Sequence, residues 1–328
     1  MIVTKTPLRI SFFSGGSDMK AFYEKEDGAA LSVTIDKYIY VLLHRTPHLG
    51  VKIMYDKIEE TPDVETMQHE ITKEALKYFN FTKEITVASI SDILSKGSGL
   101  GSSSAFTVGL VNALASSKWE VASKRYLADV ACEIEIDKCG YPIGKQDQYA
   151  AEYGGMNLFH FRKNGDTDVE NIHVGRSNLD AFQSNLLLVY SGHGRSANSI
   201  LQKQQKAMGD KEKFNLVRQS RDKAFLATQY LQKGLYDDFG ALLHEAWMDK
   251  KQVVGSITDE YFDMVYSKAM TSGALGGKLL GAGGGGFFLF YVDKQHREKV
   301  IDTITTDTAC KVYDFTFSHH GSSVSTLF

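Results

Sequence analysis

The sequence predicts a two-domain protein that mixes β-strands and α-helices in both halves. Three observations predict it. The chain has 328 residues, enough for about two cores of ordinary size. Short runs rich in β-branched and aromatic residues alternate with stretches of helical apolar spacing from one end to the other. Each half also carries a glycine-rich segment next to a regular element: KGSGLGSSSAFTVG from Lys96 to Gly109, and GGKLLGAGGGGFFLFYV over residues 276 to 292.

In chain order, residues 2 to 13 (IVTKTPLRISFF) read as a strand, with Pro7 at an edge or a bulge. Ser14 to Asp18 form a turn before a short helix around Met19 to Lys25. Arg9 and Asp18 then either face one cleft or stand as surface charges. Ala29 to Arg45 and Val51 to Tyr55 read as a strand pair. Val64, Met67, Ile71, Ala75, Leu76 and Phe79 are spaced as one helix face, and Ile85 to Ile90 as a strand entering the first glycine segment. A helix over Ala105 to Leu114 follows, then one over Lys124 to Asp137 that leaves Glu133 and Glu135 near its C-terminal end. Carboxylates oppose the helix dipole there, so they are either solvated or matched by a cation. Asp147 falls in the first turn of the next helix, which suits the dipole whether or not the residue has a further role. Strands are expected at 155–161 and 169–174, and a change of domain at Arg176 to Asp180. Beyond it come a buried strand (Leu186 to Ser191), helical sequence through Met208, helices over 211–233 and 236–253 with Trp247 in the packing, a helix over Asp259 to Thr271, an apolar strand ending at Val292, a helix over 295–305 and a strand over Lys311 to Phe317.

Composition narrows the function classes. Hydrophobic residues at 43% and charged residues at 23% are ordinary for a soluble folded protein and argue against long disorder. A net charge of -3 offers no global attraction to nucleic acid or to an anionic membrane. Cys132, Cys139 and Cys310 form no paired Cys-x-x-Cys motif, so reduced thiols are expected. Pro7 and Arg9 interrupt any apolar leader, and the longest apolar run, Leu279 to Val292, is too short to span a bilayer. The expectation is a cytoplasmic enzyme, monomeric or homodimeric, with small-molecule partners.

The segment around residue 100 has two readings, a flexible turn or an anion cradle. Gly97, Gly99 and Gly101 permit positive φ and bring backbone N–H groups to the surface. Ser102, Ser103 and Ser104 add hydroxyls at the start of a helix, whose free donors and dipole favour phosphate. Neither the Walker loop nor the dinucleotide fingerprint fits these letters: Gly101 is followed by Ser102 rather than Lys-Ser/Thr, and Ser102 stands where a third glycine would be required.

Three glycine-bearing segments in order, PLRISFFSGGSD, GSGLGSSSA and KLLGAGGGGFF, resemble the three motifs of the GHMP kinase superfamily, which includes galactokinase, homoserine kinase, mevalonate kinase and phosphomevalonate kinase. Ser14-Gly15-Gly16-Ser17-Asp18 at the end of the first motif and GKQDQYAAEYGGMN from Gly144 to Asn157 most resemble the kinases acting on D-glycero-D-manno-heptose 7-phosphate. The resemblance implies an α+β chain of two domains, residues 1–178 with an ATP-binding α/β fold and 179–328 with a ferredoxin-like core, and an active site between them. It implies ATP and Mg²⁺. It assigns Gly97, Ser98, Gly99, Leu100, Gly101, Ser102, Ser103 and Ser104 to the ATP phosphates, and Ser103 and Glu135 to the metal, with Glu133 as the lesser match. Asp147 matches the catalytic aspartate, Arg9 the lysine or arginine of the first motif, a cation that would neutralise transition-state charge, and Asp18 with Gly15 and Gly16 the sugar-binding group. Gly283 and Gly284 would line the cleft from the other domain. A sugar phosphate would need a second anion site, for which Arg195 and Lys278 are candidates beside the alternative that both are solvated cations. The implied reaction is transfer of phosphate to the anomeric hydroxyl; a fucokinase-like enzyme and a catalytically silent sugar sensor are the alternatives.

Overall fold

Burial explains the first sheet, whose two long strands are continuously buried over Thr6 to Phe13 and Gly28 to Ile35. The computed structural model describes residues 1–13, 16–93, 97–118, 122–194, 198–255, 257–306 and 308–326. Strand β1 (Ile2–Phe13) is followed by a short helix, α1 (Lys20–Tyr23), and by β2 (Gly28–Arg45), a strand of 18 residues that runs antiparallel to β1. The β1–β2 register slips between Pro7 and Leu8, the bulge expected at a residue that cannot donate to the ladder. On its other edge β2 serves two partners. Its later half pairs with β5 (Ile85–Ser91), which in turn lies parallel to β3 (Val51–Met54), itself paired with β4 (Ile58–Thr61). Its earlier half pairs with β6 (Met156–Phe161), and β6 with β7 (Thr167–Asn171).

Helices α2 (Glu70–Tyr78), α3 (Ser102–Ser117), α4 (Lys124–Cys132) and α5 (Gln146–Tyr153) belong to this half. Residues Ala105 to Ala115 of α3 are all buried, as expected of a helix that is apolar all round and has neighbours on every side. Gly109 lies so close to β1 that a Cβ there would stand 2.8 Å from Thr6 Oγ1.

Helix α6 (Arg176–Ser184) occupies the stretch read as the change of domain and leads into the second sheet. That sheet is antiparallel, in the order β11–β8–β10–β9, with β8 (Leu186–Tyr190), β9 (Ala274–Leu279), β10 (Phe287–Val292) and β11 (Lys311–Tyr313). Every residue of β10 is buried, the pattern of a strand covered on both faces. The helices are α7 (Asn198–Ala207), α8 (Lys211–Lys233), α9 (Tyr236–Val253), α10 (Glu260–Ser272) and α11 (Arg297–Thr306). The final strand, β12 (Ser323–Thr326), returns to the first sheet and pairs with β1. The two sheets share one core. Phe12 of β1 meets Phe239 of α9 edge-on at 5.2 Å and Phe182 of α6 at 5.9 Å, a contact that fixes one half against the other. Among the described residues no helix is long and apolar enough to cross a membrane.

Several expected elements differ. The helix expected from Val64 begins at Glu70, because His69 accepts a hydrogen bond from the N–H of Thr72 and caps it there; Val64 and Met67 are buried in the lead-in. The helix expected to reach Asp137 stays α-helical only to Cys132 and continues as a π-helical turn, Glu133–Lys138. Strand β7 ends at Asn171 rather than 174, and β11 at Tyr313 rather than 317. Strand β12 is short and exposed throughout, with Val324 as its one apolar residue, so it carries no apolar alternation to betray it.

Candidate active site

The site is built around the start of α3. Gly97, Gly99 and Gly101 all adopt left-handed φ (67°, 77° and 76°), a conformation that only glycine takes readily. They turn the chain so that Gly101 precedes Ser102 with no side chain capping the helix, and the N–H groups of the first turn remain free for an anion. Ser98 and Ser102 tie the loop to itself through their hydroxyls at 2.9 Å. Leu100 is fully buried and anchors the loop, its carbonyl accepting from the N–H of Arg9 at 3.0 Å. A cavity of about 270 Å³ opens here, lined by Gly97, Ser98, Gly99, Gly101, Ser102, Ser103 and Ser104 from the loop side.

Arg9 and Asp147 meet across this cavity. The Arg9 Nε donates to Asp147 Oδ1 at 2.8 Å and Nη2 to Oδ2 at 2.6 Å, while Nη1 donates to the Gly99 carbonyl at 2.7 Å. The guanidinium therefore fixes both the carboxylate and the loop, and the two-pronged geometry sets the carboxylate plane. Asp18 lies against the chain that leads into α5: the Gln146 N–H donates to Asp18 Oδ2 at 3.4 Å, and a Cβ on Gly144 would stand 2.0 Å from that oxygen. Gln146 Nε2 in turn donates to Ser11 Oγ at 2.8 Å.

Glu135 is the second carboxylate. The π-helical turn rotates it inward to 0% exposure while Glu133 stays at the surface in an ion pair with Lys138. Such turns recur at functional sites because they re-aim one side chain. Glu135 Oε1 accepts from Ser103 Oγ at 2.8 Å and Oε2 from Gln148 Nε2 at 2.6 Å. Burial pushes its pKa above the usual carboxylate range against these hydrogen bonds, and the charge of Asp147 adds to the rise. A buried acid with neutral partners gains from an arriving cation. The donors are oxygens, beside free N–H groups suited to phosphate, and among the described residues no group of three His, Cys, Asp or Glu forms a complete metal cage. That set fits a hard cation sharing its ligands with a substrate phosphate.

The second sheet closes the cavity. Gly99 and Gly281 touch: a Cβ on Gly281 would stand 2.6 Å from Gly99 Cα, and one on Gly99 would stand 2.5 Å from the Leu280 carbonyl oxygen. Gly281 and Ala282 line the cavity, whereas Gly283 and Gly284 do not. The space for a Cβ on Gly283 is filled by Ile257, and Gly284 donates to the Ile257 carbonyl at 2.8 Å. Lys278 is only 7% exposed, so it is no solvated cation. It lines the cavity, yet its Nζ donates to the carbonyls of Ser11 and Phe12 at 3.0 and 2.8 Å. Gly16 lines the opposite end, where Gln204 of α7 covers it. Gly15 and Arg195 lie outside the described residues.

Sequence reading missed Gln146, Gln148, Gln204 and Lys250, all of which reach this site. Lys250 alone left a signal: it follows Leu243, Ala246 and Trp247 on the buried stripe of α9, where a lysine is out of place.

Comparison with known proteins gives the family. The family model for the GHMP kinases N terminal domain matches residues 67–155, and that for the GHMP kinases C terminal region matches 227–308. The chain belongs to the GHMP kinases. It is 28% identical, over 98% of its own length and 97% of the other's, to D-glycero-alpha-D-manno-heptose 7-phosphate kinase of Campylobacter jejuni. It is 24% identical over 89% of its length to the bifunctional fucokinase/GDP-fucose pyrophosphorylase of Arabidopsis thaliana, covering 30% of that longer protein. The crystal structure of a D-glycero-D-manno-heptose 1-phosphate kinase from Bacteriodes thetaiotaomicron superposes with a TM-score of 0.82 at 24% identity, each chain covered in full. The GHMP kinase fold, a mixed α+β chain with two sheets, is thus the fold of this protein, as its motifs led one to expect.

Proposed function

We propose that this GHMP kinase transfers the terminal phosphate of ATP to the anomeric hydroxyl of a sugar phosphate, D-glycero-α-D-manno-heptose 7-phosphate, forming the 1,7-bisphosphate used to make GDP-heptose for surface polysaccharide. The observation that carries the reaction class is the Arg9–Asp147 pair held at the mouth of the glycine loop. The substrate rests on the full-length likeness to the heptose 7-phosphate kinase.

The residues divide the work as phosphoryl transfer requires, chiefly by positioning and neutralisation of charge. Loop N–H groups from Gly97 to Ser104 hold the phosphates. Asp147, its plane set by Arg9, orients the acceptor hydroxyl and takes its proton late, since a carboxylate is too weak a base to remove it beforehand. Asp18 binds acceptor hydroxyls. Ser103 and Glu135 would hold Mg²⁺, which supplies charge neutralisation at the phosphate oxygens.

The test is ADP release with heptose 7-phosphate, fucose, galactose and mannose. Turnover confined to the heptose phosphate is expected. Preference for fucose would favour the second reading, to which the likeness to the fucokinase points; ATP binding without turnover on any sugar would favour a sensor.

A further inference from the structure

Among the described residues three cations line the cavity, and two are already committed: Arg9 to Asp147, and Lys278 to the carbonyls of Ser11 and Phe12. Lys250 is different. Among the described residues its ammonium makes one hydrogen bond, to the Gly281 carbonyl at 2.5 Å. Its neighbours on α9 turn outward to ion pairs, Asp249 with Lys223 and Lys251 with Asp263, whereas Lys250 continues the buried stripe into the cavity. Arg9 and Lys278 surround it with like charge, and Asp18 is the acid that favours its protonation.

Position identifies what Lys250 awaits. Gly281, which it holds, packs on Gly99, and the Gly99 carbonyl is held by Arg9. Lys250 and Arg9 therefore flank the same point of the phosphate loop, one from each side of the cleft. Lys250 has a neutral carbonyl to bond, with Asp18 acting on it through charge; a desolvated ammonium so placed is costly, and an arriving anion offsets that cost. In a loose transition state the negative charge sits on the oxygens of the group in flight.

We propose that Lys250 contacts the transferring phosphoryl group, a catalytic cation supplied by α9 opposite Arg9; this rests on the kinase reading above. Nothing in the sequence motifs assigns it that role.

The test compares wild type with Lys250→Met and Lys250→Arg. For Lys250→Met, kcat falls by at least about 100-fold, as for loss of one transition-state donor, with little change in KM for the sugar. Tightening of ADP binding by aluminium fluoride, a mimic of the group in flight, is lost in Lys250→Met, although the variant still binds a non-hydrolysable ATP analogue and melts like wild type. Burial pulls the lysine pKa down to about 8, so wild-type kcat/KM declines as pH rises through that value and the ammonium loses its charge. In Lys250→Arg the decline near pH 8 disappears, because the guanidinium stays charged. A Met variant with near-wild-type kcat, an unchanged aluminium fluoride effect, or the same alkaline decline in the Arg variant would each overturn the proposal. The fluoride titration needs no sugar, so it decides the matter even if wild type turns over none of the sugars tried, an outcome that would sink the kinase reading instead.

Discussion

Glu152 sits in the last turn of α5, the helix that begins with Asp147, and is only 2% exposed. Its Oε2 is buried and finds no hydrogen-bond partner among the described residues. Burial pushes its pKa from 4.5 to about 8, with the charge of Lys124 opposing the rise. Between those values the folded chain holds a proton that the unfolded chain has lost. The group's stabilising contribution is therefore whole below pH 4.5 and is lost as pH rises through about 8. Each pH unit in that window costs the fold about 1.4 kcal/mol, so from pH 5 to pH 8 the loss reaches up to roughly 4 kcal/mol. Glu152→Gln keeps the shape and removes the titration. Denaturant unfolding of both proteins at several pH values checks this, because the fixed cost of burying an amide cancels when each protein is compared with itself. We expect the stability of the variant relative to wild type to climb by about 1 to 4 kcal/mol between pH 5 and pH 8. Parallel pH profiles would refute the reasoning and show that the carboxyl is satisfied in both forms.

Other consequences follow from the site. Asp147→Asn should lower kcat by on the order of 10² to 10⁴ while an ATP analogue still binds; because Arg9 is only 5% exposed and loses its counter-charge, the melting temperature should fall as well. Gly99→Ala should lose roughly 1–2 kcal/mol from its left-handed φ alone and force the Leu280 carbonyl away, which calorimetry and nucleotide titration would register as a lower melting temperature and weaker binding. Glu135→Gln should raise the Mg²⁺ concentration needed for half-maximal rate by at least about tenfold. In wild type that Mg²⁺ requirement should rise as pH falls, starting at a higher pH than for an ordinary glutamate because burial raises the Glu135 pKa; the variant should show no such dependence.

Much of the site was legible because its chemistry is local. A run such as Gly97 to Ser104 turns on the φ freedom of particular glycines and feeds a helix start, and both properties belong to neighbouring letters. Arg9, Asp147 and Glu135 were reachable only through motif resemblance, since nothing in their own surroundings separates them from surface charges. Glu133 and Glu135 show why. An α-helical period leaves both near a helix end, and it is the π-helical turn, set by packing of α4 against α3 and α5, that buries one and exposes the other. The ends of elements and β12 were hidden for a related reason: a short exposed strand forms because an edge of β1 is available to it, not because of its own pattern.

The sequence by itself determined the alternation of elements, the glycine-rich loop at the start of α3 and the family, all consequences of residue type and short-range spacing. Only the tertiary structure decided which charges are paired and which stand desolvated. Arg9 closing on Asp147 and Lys278 captured by two carbonyls join residues more than a hundred positions apart, and Lys250 is left lining the cavity. Electrostatic roles of that kind depend on distance and burial, quantities that exist only once the chain has folded.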